Sequence, residues 1–105
     1  MVESQISYNI RPNVTEEEYW NTVQTLITTL VKDKKIKEFR AFENLMGDPQ
    51  IKASVYWNEA THFANFAKSD EWRNLLREMR KVVSDIKIEL WGPSRYLPDP
   101  VVVED

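Results

Sequence analysis

Residues 53–72 read ASVYWNEATHFANFAKSDEW. They hold the chain's single histidine, His62, two of its four tryptophans, Trp57 and Trp72, and two asparagines, Asn58 and Asn65. As chemistry, the stretch offers a base among aromatics and amides. As structure, it offers a strand followed by a helix. The spacing favours structure. Ile51, Ala53, Val55 and Trp57 alternate with Lys52, Ser54 and Tyr56, which predicts a half-buried strand over residues 50–57. Asn58 is the expected N-cap of the next helix, where Ala60, Phe63, Ala64, Phe66 and Ala67 recur at helical spacing. Ser69 and Asp70 interrupt or re-cap that helix, and Trp72, Leu75, Leu76, Met79, Val82 and Val83 form a second apolar stripe. His62 falls outside the first stripe, so it is expected at the boundary or exposed. No second histidine and no cysteine exists to complete a zinc site with it. Trp57 and Trp72 are expected in the core. The stretch is mostly scaffold.

Outward from it, residues 36–45 form a second predicted strand, joined to the first by Met46, Gly47, Asp48 and Pro49, a turn signal. Upstream, Ile6, Tyr8 and Ile10 alternate with Gln5, Ser7 and Asn9, a strand over residues 4–10 that Arg11, Pro12 and Asn13 end. Thr15 and Glu18 make a capping box. Tyr19, Trp20, Val23, Leu26, Ile27, Leu30 and Val31 then line one helix face. Glu16, Glu17 and Glu18 suit the positive end of that helix better than a metal ion. Downstream, Ile86, Ile88 and Leu90 alternate with Lys87, Glu89 and Trp91 over residues 85–91, and Gly92 and Pro93 stop the strand.

The order βαββαβ, with its second helix broken in two, is the ferredoxin-like split arrangement. The fold class is α+β: a four-stranded antiparallel sheet with helices on one face. Residues 1–93 form the domain. Residues 94–105, SRYLPDPVVVED, form a proline-interrupted C-terminal tail free to be exchanged with or packed on a partner subunit. Its Val101, Val102 and Val103 can add a short strand to some edge.

Composition narrows the function classes. The chain has 105 residues, 42% apolar and 30% charged, which suits one soluble globular domain. No apolar run approaches a membrane span, and residues 1–10 lack the pattern of a secretory signal. The absence of cysteine removes disulfides and thiolate chemistry and fits a cytoplasmic location. Two glycines leave no phosphate-cradling loop of the GxGxxG or Walker type. At a net charge of −3, the one dense basic group is Lys32, Lys34, Lys35 and Lys37, interrupted by Asp33; it is expected to be a solvated loop rather than a nucleic-acid footprint. His62 is the only candidate base for a serine triad, and no serine sits in a G-x-S-x-G elbow.

The helices must cover the more apolar sheet face, which leaves Ser7, Asn9, Lys52, Ser54, Tyr56, Lys87, Glu89 and Trp91 on the other, with Arg40 and Phe42. This face mixes aromatics with polar and charged groups. It can stand in water, stack single-stranded bases, or close against a second copy and enclose a cavity. Leaving Phe42, Tyr56 and Trp91 wet forgoes about 1.5–3 kcal/mol each. Base stacking wants a positive groove, and the third strand, QIKASVYW, lacks the ribonucleoprotein signature. A homodimer with a pocket for a small aromatic ligand is favoured. In that pocket Glu89 is the candidate general base. Asn9 and Ser54 are candidate donors to a carbonyl or oxyanion. Phe42, Tyr56 and Trp91 are candidate stacking partners, with Arg40 beside them.

The same residues resemble a family. The run SVYWNEATHFANFAKSDEW, the closing strand IKIELWGPS and the order βαββαβ resemble the dimeric α+β barrel proteins, and among them the antibiotic-biosynthesis-monooxygenase-like (ABM) domain. Its signature is an apolar strand ending in W-E/N, then F-x-x-[FHW], then S-x-x-[WFH]. Here those elements are Trp57, Asn58 and Glu59, then Phe63 to Phe66, then Ser69 to Trp72. The resemblance implies two sheets packed face to face around a pocket. It also implies either a cofactor-free oxygenase acting on aromatic or quinol compounds, or a haem-degrading enzyme. The haem-degrading members use an asparagine, a tryptophan and a histidine; the matching positions are Asn9, Phe66 and about Leu76, so two of the three are missing. The expected function is therefore a cofactor-independent monooxygenase-like activity on a small aromatic or quinone-like compound, with no metal and no cofactor. The alternative is a non-catalytic dimeric module that binds a small ligand or holds partners together.

Overall fold

The computed structural model describes residues 2–32, 34 and 36–104. Its elements run β1 (Val2–Ile10), α1 (Glu16–Lys32), β2 (Ile36–Glu43), β3 (Ile51–Trp57), α2 (Ala60–Ala67), α3 (Asp70–Val82) and β4 (Val83–Trp91). The four strands form one sheet in the order β2-β3-β1-β4, every pair antiparallel. This is the expected ferredoxin-like α+β sheet. Asp33 and Lys35 of the basic group lie outside the described residues; Lys32, Lys34 and Lys37 are exposed.

Period-two geometry sets the faces. In register, Ser4, Ile6 and Tyr8 oppose Val55, Ala53 and Ile51, and Phe39 opposes Val55 from the other side. These point toward the helices. Leu26 and Leu30 of α1 and Leu75, Met79 and Val82 of α3 meet them there and close the core. Trp20 and Val31, expected in the α1 stripe, are half exposed. The sheet supports only the narrower arc through Val23, Leu26 and Leu30, and both residues sit just outside it.

Local chemistry explains the element ends. Glu18 N–H donates to Thr15 Oγ1 at 3.1 Å, satisfying one of the free donors at the start of α1. Ser69 accepts from Trp72 N–H at 3.1 Å and donates its own hydroxyl hydrogen to the Phe66 carbonyl at 2.6 Å. One side chain thus ends α2 and starts α3, which is why the second helix is broken. The N-cap of α2 is Glu59, not Asn58: its backbone is extended and its side chain makes no cap hydrogen bond. In the turn after β2, Gly47 has φ +108°, a conformation that side chains rarely adopt.

β4 departs from strict alternation. Ser7 pairs with Lys87 but Asn9 pairs with Ser84, so β4 carries one extra residue, and Asp85 sits at φ +58°. The bulge resets the phase. Val83, expected at the end of the α3 stripe, belongs to β4 instead; it pairs with Ile10 and is fully buried on the helix side, while Ser84 faces away. Ile88 and Leu90 lie on the helix side as expected but are half exposed, because β4 is an edge strand.

Val101, Val102 and Val103 are in no strand and are exposed. Among the described residues, no helix is long and apolar enough to cross a membrane.

Candidate functional site

The sheet face away from the helices carries the residues singled out in the sequence, and the strand register brings them together. Glu38, Arg40 and Phe42 of β2 oppose Tyr56, Ser54 and Lys52 of β3, which in turn oppose Glu3, Gln5 and Ser7 of β1. Glu3, Gln5 and Ser7 oppose Trp91, Glu89 and Lys87 of β4. The phase given to Arg40 and Phe42 is therefore right.

Most of the candidates have a partner within the chain. Glu3 accepts from Gln5 Nε2 at 2.8 Å. That bond holds its carboxyl below the usual range against the opposing cost of burial, and hydrogen bonds from Ser54 and Tyr56 and the charge of Lys52 add to it. The same contact with Glu3 pushes the Tyr56 phenol up. Arg40 pairs with Glu38 at 3.1 Å, and Lys52 lies 5.1 Å above the centre of the Phe42 ring. Ser54, expected as a donor to a ligand, is 2% exposed and lies beneath its neighbours. Glu89, expected between Trp91 and apolar groups, has Lys87 Nζ 3.6 Å away. Trp91 itself is half exposed.

Asn9 sits at the end of the sheet. Its Oδ1 accepts from Gln50 N–H at 2.7 Å, and its Nδ2 donates to Asp48 Oδ1 at 3.0 Å and Asp85 Oδ2 at 3.3 Å. It ties the β2–β3 turn to the β4 bulge. A groove of about 640 Å³ runs along this face between Phe42, Lys52, Lys87 and Glu89 and the loop residues Leu45, Met46 and Pro49.

The enclosed apolar space is on the other side. A cleft of about 140 Å³ opens between sheet and helices, with Ser4, Ile6, Val55 and Ile88 on its floor and Leu26, Leu30, Phe63, Phe66 and Trp72 above. Its aromatic wall is continuous. Trp57 lies 5.6 Å from Phe63, edge to face, and 5.6 Å from Phe66; Phe66 lies 5.5 Å from Trp72. Such tilted pairs suit the ring quadrupoles and make a rigid surface for a flat molecule. Ser4, a polar side chain of the floor, accepts from Trp57 Nε1 at 2.9 Å.

A second cavity of about 120 Å³ shares Leu30, Trp57 and Phe66 with the cleft and adds Thr29, His62, Asn65, Ser69 and Glu71. His62 is half buried, at the boundary as its place on the helical wheel predicts, and its Nδ1 is fully buried with no hydrogen-bond partner among the described residues. Lys32 and Glu71 pair at 3.4 Å beside it. Sequence reasoning missed Glu3, because the strand was expected to begin at Ser4, and it missed the cleft. Among the described residues, no group of three metal-ligating side chains converges.

The sequence matches no protein-family model and no curated protein. Solved structures match along most of the chain. SnoaB, a cofactor-independent oxygenase from Streptomyces nogalater, aligns with a TM-score of 0.75 over 93% of this chain and 97% of its own, at 10% identity. A protein described as an antibiotic biosynthesis monooxygenase aligns with a TM-score of 0.69 over 90% and 99%, at 11% identity. The chain shares its ferredoxin-like fold with these proteins. A dimeric ferredoxin-like protein of unknown function from Thermobifida fusca shares it, with a TM-score of 0.69 over 86% and 88%, at 11% identity. Within this fold, the tryptophans and phenylalanines of residues 53–72 converge on one cleft: Trp57, Phe63, Phe66 and Trp72 all line it.

Proposed function

We propose that the chain is a homodimer joined through its open sheet faces. In this reading its helix-side cleft binds a small aromatic or quinol compound and oxidises it with dioxygen, without a cofactor. The observation that carries this reading is His62 Nδ1, a buried imidazole nitrogen with no partner among the described residues, beside an aromatic-walled cleft. The open face supports the dimer. Arg40 is already paired with Glu38 and Lys87 with Glu89, and the face's aromatics Phe42 and Trp91 are 41% and 52% exposed, which favours a self-complementary contact. The site thereby moves from the face expected in the sequence to the opposite one.

The size sets the ligand. A cavity of about 150 Å³ lined by apolar side chains takes a benzene-sized ring. The cleft is that size, and the adjoining space admits a second ring or polar substituents. For a naphthohydroquinone, His62 Nδ1 removes a phenolic proton and the electron-rich anion reduces dioxygen. One oxygen atom ends as a ring hydroxyl in place of a C–H, the other leaves as water, and the ring becomes a quinone. The four electrons come from the substrate, so no other reductant enters.

The test uses 1,4-dihydroxynaphthalene. Quenching of Trp57 and Trp72 reports binding, and an oxygen electrode reports turnover. The expected result is saturable quenching, with one dioxygen consumed per hydroquinone above the spontaneous rate, and loss of turnover but not of quenching in His62→Ala. Quenching without turnover points to the non-catalytic ligand-binding module. No quenching at all assigns the cleft to core packing and sinks both.

A further inference from the structure

The sheet has two edges, and they are protected unequally. The β2 edge is guarded by Lys37, Glu38, Arg40 and Glu43 and by a register shift near its start. The β4 edge presents Ile88 and Leu90 on its helix side, 44% and 48% exposed. An edge of this kind is open to pairing with another chain. Ile88 also lines the aromatic cleft, so the cleft opens along β4.

The residues after β4 offer what that edge needs. Val101, Val102 and Val103 are between 73% and 86% exposed, and three successive β-branched residues favour a strand. Pro93, Pro98 and Pro100 have no backbone N–H of their own and keep the intervening chain from pairing as a continuous strand. The hydrogen bonds recorded before the valines are local, from Tyr96 and Leu97 N–H to Ser94 Oγ. The tail projects from the body: the radius of gyration is 15.2 Å, against about 13 Å for a compact chain of this length. From Trp91 to Val102 the extended chain reaches up to about 36 Å, comparable with the 33 Å middle dimension of the molecule.

We infer that Val101, Val102 and Val103 of one copy pair as a strand with the β4 edge of the second copy, covering its Ile88 and Leu90 and closing its cleft. The exchange is reciprocal, as a two-fold axis requires, and it gives the partner a share in each ligand site. It rests on the homodimer proposed above.

The chain has no cysteine, so disulfide trapping is clean. Leu90→Cys and Val102→Cys are placed in separate chains, one with a size tag, co-expressed and oxidised. The expected result is a mixed disulfide of both sizes, absent when Lys37→Cys on the β2 edge replaces Leu90→Cys. A link of equal yield to Lys37→Cys overturns the inference, as does a Leu90→Cys/Val102→Cys double variant that closes within one chain. Light scattering separates the two levels. A dimer without the Leu90–Val102 link rejects the exchange alone, whereas a monomer at 12.5 kDa rejects the dimer beneath it.

Discussion

Trp57 Nε1 donates to Ser4 Oγ over 2.9 Å, a bond between neighbouring strands with both residues buried and lining the aromatic cleft. The indole can only donate, so without the serine its N–H has no water to turn to. Ser4→Ala is expected to cost about 1–3 kcal/mol, the range for an orphaned buried donor. The urea midpoint should fall with an unchanged slope. A midpoint within error of the parent would mean that the indole finds another acceptor.

Ser69 holds the aromatic wall in place from the other side. Its hydroxyl joins the Phe66 carbonyl to the Trp72 N–H, and both rings line the cleft. Ser69→Ala should cost roughly 0.5–2 kcal/mol as a lost N-cap. It should also weaken 1,4-dihydroxynaphthalene binding several-fold, because the angle between α2 and α3 sets the Phe66–Trp72 separation. Ser69→Asp, which caps as well, should restore stability without restoring the bond to Phe66. Equal binding by all three proteins would show that the cleft does not depend on this joint.

How much of this was legible in the sequence differs from element to element. Alternation placed β1 and β3 and the phase of Arg40 and Phe42, because one buried face enforces a strict period of two. It failed at β4, where Asp85 takes up an extra residue in a left-handed conformation with no glycine to announce it. The helical wheel admitted Trp20 and Val31, yet how wide a helix face becomes buried is decided by the sheet opposite, not by the helix. The candidate site was harder. Pattern places Trp57 and Trp72 in the core and Phe63 and Phe66 on one helix stripe; whether they fill the space between them or leave 140 Å³ depends on packing that no periodicity encodes. The polar face looked available for ligands because its partners lie across strands, as Glu3 does for Tyr56.

Glu3 makes stability depend on pH in a defined direction. Its folded carboxyl is held below the ordinary 4.5, chiefly by the hydrogen bond from Gln5, so the folded state prefers the ionised form. The contribution is fully present above about pH 4.5 and is lost as pH falls through the depressed folded value. Glu3→Gln should therefore be less stable than the parent at pH 6, and the gap should narrow steadily below pH 4.5 in urea titrations. Because the carboxyl is largely solvated in one chain, the gap should widen with protein concentration if the open faces pair. A gap that is constant from pH 6 to pH 3 would place the effect elsewhere than in this carboxylate.

Asn9 separates a structural role from a chemical one. Its amide accepts from Gln50 and donates to Asp48 and Asp85, which fixes the β2–β3 turn against the β4 bulge and leaves those hydrogen-bonding sites engaged. Asn9→Ala should lower stability by about 1–3 kcal/mol, since bonds to charged acceptors are among the stronger ones. Quenching of Trp57 and Trp72 by 1,4-dihydroxynaphthalene should stay as in the parent, because Asn9 does not line the cleft. The opposite result, full stability with turnover lost, would return Asn9 to the role of oxyanion donor and move the site back to the open face of the sheet.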